Sequence, residues 1–431
     1  MAIQNANQLL ARFRSLGATR IFCKHLSEND NSKQQIYLGK KFEVLSFFPH
    51  GEITPCPDLK IPNFKASLNF FWVTKDEAVS ALGTQLILYP QYPEVRLSGF
   101  LNGCGIAPSN HLHHRPKEQR RGIDGRVLIF GTSPDRKVFA HLAPEGSDLA
   151  EELLEKFRTF PPEGLFLELT EPVDSTENRL LVIEALQNIH HRNPHISCRR
   201  DRGGNIIPYM ASNGGGYTLE ARLGITPNSN SEPDYLGWEI KAYSRNRITL
   251  MTPEPNGGWY GENGSKAFVE RYGRALENNV KYFTGVHRIG IPCEATGMTL
   301  HVIGFDPITR TLTDVNGSIL LVDQTGTPAA SWSFAGLLTH WNRKHAFAAY
   351  VPYTRLNEPV SYDYGSPILM GEHTDFTRYL YAVSSGAVVF DPASKVTQAG
   401  TPQSRIKARS QFRITIQNLN YLYETLTAEN L

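Results

Sequence analysis

Within YTLEARLGITPNSNSEPDYLGWEIK (Tyr217–Lys241), three acids and one lysine have the types and spacing to do hydrolytic chemistry on a phosphodiester. Glu220 precedes Asp234 by fourteen residues, Asp234 precedes Glu239 by five, and Lys241 stands two further on. Carboxylates brought close repel one another, so such a cluster calls for a cation. Oxygen ligands without His or Cys favour a hard ion, Mg²⁺ in particular, which keeps several of its waters. An ion of this kind orients an attacking water and offsets charge developing on the phosphate. Lys241 adds a fixed positive charge beside it.

Those four side chains need elements to hold them. Alternation across Trp238, Glu239, Ile240, Lys241 and Ala242 reads as a half-buried strand. Period two puts Glu239 and Lys241 on one face, and Trp238, Ile240 and Ala242 on the other. Asp234 lies just before Gly237, where a turn or bulge would bring it beside Glu239. Glu220 sits in a short helix-like segment that Gly224 stops. An acid-x-Lys triplet alone is a weak signal, and most such triplets are solvated strand faces. Asp58-Leu59-Lys60 and Asp135-Arg136-Lys137 are two others in this chain, and neither has the Pro-Asp and upstream Glu at this spacing.

The full arrangement, Pro233-Asp234 followed by Glu239-Ile240-Lys241, is that of the PD-(D/E)xK nucleases. The segment resembles the MvaI/BcnI family of restriction endonucleases, relatives of the mismatch-repair nicking enzymes. The resemblance continues through LTPEPNGGWYGENG (Leu250–Gly264) to RSQFRI (Arg409–Ile414), so it spans about Arg199 to Leu431. It implies that Glu220, Asp234, Glu239 and Lys241 are the catalytic set, with the three acids holding Mg²⁺. It also implies that the FRI segment lies in the DNA cleft, which makes Arg413 and then Arg409 candidates for reading bases. The compact relatives carry a histidine shortly before FRI. Here Ala408-Arg409-Ser410 stands in its place, which leaves the central base pair of the target open.

At 431 residues the chain is long enough for two or three cores. Hydrophobic residues at 40% and charged residues at 20% describe an ordinary soluble protein. The formal net charge of +2 means that any DNA-binding surface is a local patch. Cys23, Cys56, Cys104, Cys198 and Cys293 lack paired zinc spacing and fit buried thiols in a reducing cytosol. No secretory core and no apolar run of about twenty residues stands out, so no membrane span and a cytoplasmic location are expected.

Residues 20 to 145 carry short β-like runs separated by Gly, Pro, Asn and Asp: IFCKHL, QQIYL, FEVLSFF, SLNFFWV, TQLILY, EVRLSGF, RVLIF and KVFAHL. They suit a small barrel or sandwich. This region resembles the DNA-binding pseudobarrel domain of EcoRII, through KHLSENDNSKQQIYL (Lys24–Leu38), KASLNFFWV (Lys65–Val73), YPEVRLSGF (Tyr92–Phe100) and RVLIFGTSPDRKVFAHL (Arg126–Leu142). The Gly-rich turn usual after its LSxND element is replaced by Asn31-Ser32-Lys33. Candidate DNA contacts are Lys24, Asn29 and Lys33 on one edge segment, and Arg96, Ser98 and Asn102 on another. Lys and Arg suit phosphate and guanine, while Asn pairs bidentately with adenine. The alternative is that these are ordinary solvated strand and turn residues.

A charged helix is expected over Ser147–Phe157. A second starts near Asp174 or Ser175 and carries Leu180, Ile183, Leu186 and Ile189 toward a core. Residues His190 to Gly204 read as a hinge, with His190, His191 and His195 exposed. HLHHRPKEQRR (His111–Arg121) reads as a basic loop rather than a metal site. Gly214–Gly216 lacks the GK[ST] of a phosphate loop and reads as a flexible approach to the active site. Trp259 and Tyr260 fit a loop near the cleft or packing in a core equally.

The expected architecture is multidomain. It comprises an N-terminal all-β DNA-binding pseudobarrel (1–170), a helical linker (171–198), and a C-terminal α/β restriction-endonuclease-like domain with a mixed central sheet (199–431). The resemblance implies a type II restriction endonuclease cutting double-stranded DNA at a CCNGG-type site, CCWGG as the first choice. It further implies a monomer that nicks one strand before the other, and a cognate DNA methyltransferase that protects the host. The rival readings are a modification-dependent endonuclease, a mismatch-repair-like nickase, and a DNA-binding protein with a dead nuclease fold.

Overall fold

In the computed structural model, described for residues 3–27, 34–40, 42–92, 94–112, 125–160, 162, 164–169, 175–226, 234–342 and 347–431, the chain divides into two units, Met1–Ser175 and Thr176–Leu431.

Among the described residues of the first unit, ten strands join in one mixed sheet. The strand Asn63–Val73 changes partners halfway along. Its first half pairs antiparallel with His50–Cys56 and Gln85–Tyr89, its second half parallel with Lys137–Ala143. The helices Ala6–Ser15 and Asp148–Thr159 bring Leu9, Phe13, Leu149 and Leu153 against Ile21, Val127, Ile129 and Phe139. Asn5 and Ser147 cap them, each side-chain oxygen accepting a first-turn backbone N–H.

The run FEVLSFF is not a strand. Phe42–Phe47 forms a 3-10 helix, and Phe42, Val44, Leu45, Phe47 and Phe48 are all buried. Burial of neighbours such as Phe47 and Phe48 is incompatible with a strand's alternation. It is explained by an aromatic cluster in which both rings meet Phe22 and Phe166.

The second unit has the mixed central sheet expected of it. Glu239–Tyr243 lies parallel to Phe347–Asn357, which pairs antiparallel with Val360–Tyr364 and Ile368–Glu372; Thr425–Glu429 pairs in turn with the latter. One face is covered by Ser175–His190 and Gly214–Arg222, through Val182, Leu186, Ile189, Leu219 and Leu223 packed on Trp238, Ile240, Val351 and Met370. The expected inward position of Leu180 is not observed. It is 58% exposed, because the buried stripe runs at 182, 186 and 189, and 180 falls on the opposite side. Arg179 fastens the same helix to the sheet, its Nε donating to Glu372 at 3.0 Å while Nη2 donates to Glu429.

The residues expected as a hinge are part of this unit. His195–Ile196 pairs with Val360–Tyr364, and Cys198–Arg200 pairs with Ile206–Pro208. His195 is buried rather than exposed, and its Nε2–H donates to the Ile189 carbonyl at 2.8 Å. His190 Nδ1 lies 2.7 Å from the Tyr364 carbonyl. All five cysteines are free, and Cys56 alone among them is not buried. No described helix is long and apolar enough to cross a membrane.

Candidate active site

Tyr235 and Trp238 bond each other's backbones, Tyr235 N–H to Trp238 at 3.0 Å and Trp238 N–H to Tyr235 at 2.8 Å. Leu236 (φ 48°) and Gly237 (φ 83°) supply the two left-handed residues of a hairpin turn. The chain therefore doubles back, and Asp234 comes to the start of the strand that carries Glu239. The Asp234 Oδ2 atom accepts the Ile240 backbone N–H at 3.1 Å.

On that strand, alternation sets Trp238 and Ile240 into the core under the helices. Glu239 and Lys241 share the other face, where Lys241 Nζ donates to Glu239 Oε1 at 2.8 Å. Glu239 is 4% exposed. Glu220 lies on the helix Gly214–Arg222, which packs on both Glu239–Tyr243 and Cys198–Arg200. That helix ends as the sequence indicates. Gly224 (φ 84°) is left-handed, Gly224 N–H reaches the Ala221 carbonyl at 3.2 Å, and Ile225 N–H reaches Glu220's at 2.9 Å.

The three glycines at the start of this helix are not a flexible approach. A Cβ on Gly214 would stand 2.4 Å from the Tyr362 hydroxyl, and one on Gly215 would stand 2.4 Å from the Tyr353 ring. Close helix-to-sheet packing is what these two positions serve. Thr218 Oγ1 locks the helix from its side, accepting Cys198 N–H at 3.0 Å and donating to the Cys198 carbonyl at 3.1 Å.

Among the described residues, no three His, Cys, Asp or Glu side chains gather into a ready-made metal cage. The structure thus draws Asp234, Glu239 and Lys241 together at one turn, without closing Glu220 into the same cluster. Such a set still suits Mg²⁺. That ion binds through one or two carboxylates and completes its octahedron with water and substrate phosphate. An oxygen-only pair also matches its hardness.

The FRI strand Phe412–Thr415 runs between Arg247–Met251 and Val388–Phe390. Arg413 does not stand alone there. Its Nη1 and that of Arg247 both donate to Asp391 Oδ2, each at 2.9 Å, and its Nη2 donates to the Arg247 carbonyl at 3.0 Å. Neither Arg247 nor Asp391 was singled out from sequence, since both lie far from FRI in the chain and no local pattern marks them. Arg409 is exposed, and its backbone N–H donates to Ser394 Oγ at 2.9 Å. Trp259 and Tyr260 open the helix Gly258–Tyr272 rather than lying in a loop; Arg271 covers Trp259 at 5.0 Å.

The MvaI/BcnI restriction endonuclease family matches residues 183–423, more than half of the chain. This protein belongs to the MvaI/BcnI family. It is accordingly a restriction endonuclease, a site-specific deoxyribonuclease acting on double-stranded DNA, of a kind that uses a divalent metal. Two solved structures are also similar. The restriction endonuclease MvaI with its cognate DNA substrate aligns at 18% identity, covering 58% of this chain and 98% of that one, with a TM-score of 0.45. MvaI in the absence of DNA aligns at 16% identity, covering 58% of this chain and 97% of that one, with a TM-score of 0.33. No curated protein sequence matches.

In the first unit of this MvaI/BcnI enzyme, the expected contact residues are placed differently from one another. Lys24 sits inside the strand Arg20–Leu26, 3% exposed, with Nζ donating to the His25 carbonyl at 3.1 Å. The pairing of this strand on both edges encloses it, so it is not on an exposed arm. Asn29 and Lys33 lie outside the described residues. Arg96 is paired with Glu94, Nε to Oε1 at 2.9 Å and Nη2 to Oε2 at 3.2 Å. Asn102 is exposed and lines, with Gln34, Gln85 and Ser98, a polar recess of about 220 Å³. In the basic run, His111 is described, its carbonyl accepting from Arg126 Nη1 at 2.6 Å; residues 113–121 are not.

Proposed function

We propose that this enzyme is a Mg²⁺-dependent type II endonuclease cutting a CCNGG-type site, CCWGG as first choice, with Asp234, Glu239, Glu220 and Lys241 as its catalytic residues. The observation that carries the reading is the hairpin turn at Tyr235–Trp238, which sets the Asp234 carboxylate beside the strand bearing the Glu239–Lys241 pair. Asp234 and Glu239 would hold the ion, with Glu220 joining directly or through water. When bound, the ion supplies positive charge against the phosphodiester oxygens.

The protein's own groups do the rest. The Ile240 N–H fixes Asp234 in place, so the carboxylate needs no reorganisation when the substrate arrives. Lys241, already poised against Glu239, orients the attacking water and balances charge developing in the transition state. The core face of the same strand, Trp238 and Ile240, anchors the acids to a rigid sheet rather than a loop. Arg413 and Arg409 are the candidates for base and backbone contacts. The first unit is read as an EcoRII-like pseudobarrel, contacting DNA through Arg96, Asn102 and Asn29. A monomer that cuts the two strands in turn, with a cognate methyltransferase protecting the host, completes the reading.

Plasmid digestion tests it. Asp234→Ala and Lys241→Ala should each abolish cleavage while leaving DNA binding measurable, and EDTA should stop the unaltered enzyme. Full cutting in EDTA would remove the metal assignment. Mapping the ends on plasmid of known sequence, unmethylated and methylated, decides the target and separates restriction from a modification-dependent activity.

A further inference from the structure

Behind the Glu239–Lys241 face lies a pair of tyrosines that the chemistry above does not use. Tyr350 and Tyr423 are 0% and 2% exposed, and their hydroxyl oxygens stand 2.8 Å apart. Tyr350 is the in-register neighbour of Lys241 on the adjoining parallel strand, so both point to the same side of the sheet. Glu239 faces Ala348 in that register, and Ala348 faces Gly371 one strand further. The row that runs from Glu239 toward Tyr423 thus carries nothing larger than a methyl group.

Gly371 belongs to the same arrangement. A Cβ there would stand 2.5 Å from the Tyr423 ring, so the ring lies flat against bare backbone and its hydroxyl is delivered toward the Glu239 row. Burial holds both phenols above their usual range, and the Glu239 carboxylate adds to this at each of them, which places its charge near both hydroxyls. Both phenols therefore keep their protons. A single hydrogen bond between two hydroxyls uses one proton of the two. The other has to find an acceptor in a place without water, or it costs the desolvation of a lone donor.

We propose that the Tyr350–Tyr423 hydroxyl pair is a positioning device for Glu239, donating its second proton to the carboxylate and fixing how that carboxylate is presented to the divalent metal. This rests on the reading of Glu239 and Asp234 as metal ligands. Groups that hydrogen-bond to a ligating carboxylate set its orientation, and their loss typically weakens metal affinity by about 10- to 100-fold.

The test is Mn²⁺ titrated into the metal-free, full-length protein and followed by calorimetry, with no cleavage needed for the readout. The variant of choice is Tyr350→Phe with Tyr423→Phe. Removing both hydroxyls leaves no lone buried donor behind, so the sheet keeps its packing. Asp234→Ala is the control for the metal site itself. The expected result is a loss of about 10-fold or more in Mn²⁺ affinity for the double variant, with DNA binding in Ca²⁺-free buffer unchanged. Wild-type Mn²⁺ affinity in the double variant, with loss in Asp234→Ala, overturns the tyrosine proposal and leaves the metal site standing. Wild-type affinity in both overturns the metal-site reading and the tyrosine proposal with it. A lower melting temperature in the double variant with unchanged Mn²⁺ affinity marks a purely structural pair and also overturns the proposal.

Discussion

Asp234 and Ile240 are joined by a hydrogen bond of 3.1 Å from the Ile240 backbone N–H to the Asp234 carboxylate, across a turn whose two central residues are both left-handed. The candidate catalytic acid is thereby held by main chain rather than by another side chain. Its position then depends on the turn, and the turn depends on Gly237.

Gly237→Val puts a β-branched side chain at φ 83°, a backbone region that costs such residues roughly 1–2 kcal/mol. The turn relaxes and Asp234 moves. Cleavage should fall by about 10- to 100-fold, the usual cost of a small misplacement near the reacting groups. Target binding measured in Ca²⁺ should change far less. Equal losses in binding and cleavage would mean that the turn serves DNA contact instead.

Asp391 holds two arginines at once, each at 2.9 Å, so its removal separates two roles for Arg413. Arg413→Ala should weaken target binding by about one to two orders of magnitude, the worth of a bidentate arginine–guanine contact. Binding to unrelated DNA should change little. Asp391→Ala should do the reverse to nonspecific binding: the uncovered charge strengthens it and steepens its salt dependence, by about 0.9 in the log–log slope per added phosphate contact. Filter binding to target and nontarget DNA at matched salt decides both. An unchanged affinity ratio in Arg413→Ala would remove it from recognition and leave the Asp391 cluster a structural ion pair.

Fragment boundaries follow from the helix Ser175–His190. A piece beginning at Pro194 loses Val182, Leu186 and Ile189 from the core of the second unit. Each buried aliphatic side chain is worth about 1.5–3 kcal/mol, and a whole domain only about 5–15. The 194–431 fragment should therefore be unfolded or inactive, while 176–431 folds and cuts. Circular dichroism melts and plasmid digestion of the two pieces check this. Cooperative melting of 194–431 at the temperature of 176–431 would show that the helix is dispensable.

His287 makes stability depend on acidity. Its ring is 0% exposed, stacked on Phe283 at 5.7 Å, with Nε2 2.8 Å from Thr296 Oγ1. Burial pushes its pKa down to about 4. The unfolded chain, with a value near 6.5, takes up the proton first, so this contribution is complete above about pH 6.5 and is lost as pH falls toward 4. The slope is about 1.4 kcal/mol per pH unit in that window, and His141 and His195, also lowered by burial, act in the same sense. Urea unfolding of His287→Gln between pH 6.5 and 4.5 should show a shallower slope than the parent. Parallel slopes would exclude this histidine as the source.

The catalytic strand was legible from residues alone. Period-two alternation across Trp238–Ala242 assigned the faces, and Gly224 and Gly237 marked a helix end and a turn, because these are local backbone demands that a few neighbouring residues state. Wherever the deciding partner is distant, the local pattern misleads. FEVLSFF has the composition of a strand, yet Phe47 and Phe48 are both drawn inward by Phe22 and Phe166. Three consecutive glycines suggest mobility, yet two of them are fitted against Tyr362 and Tyr353, more than a hundred residues away in the chain.

Polar side chains show the same division. The sequence determined that Glu239 and Lys241 share a strand face and that Asp234 precedes a turn, since covalent spacing sets both. Only the tertiary structure decided that Lys24 is enclosed in a sheet, that Arg413 shares Asp391 with Arg247, and that Tyr350 meets Tyr423 behind the acids. Burial and pairing are set by strands and loops that chain order does not bring together. A side chain's charge is written in the sequence, but what it is charged against is settled by packing.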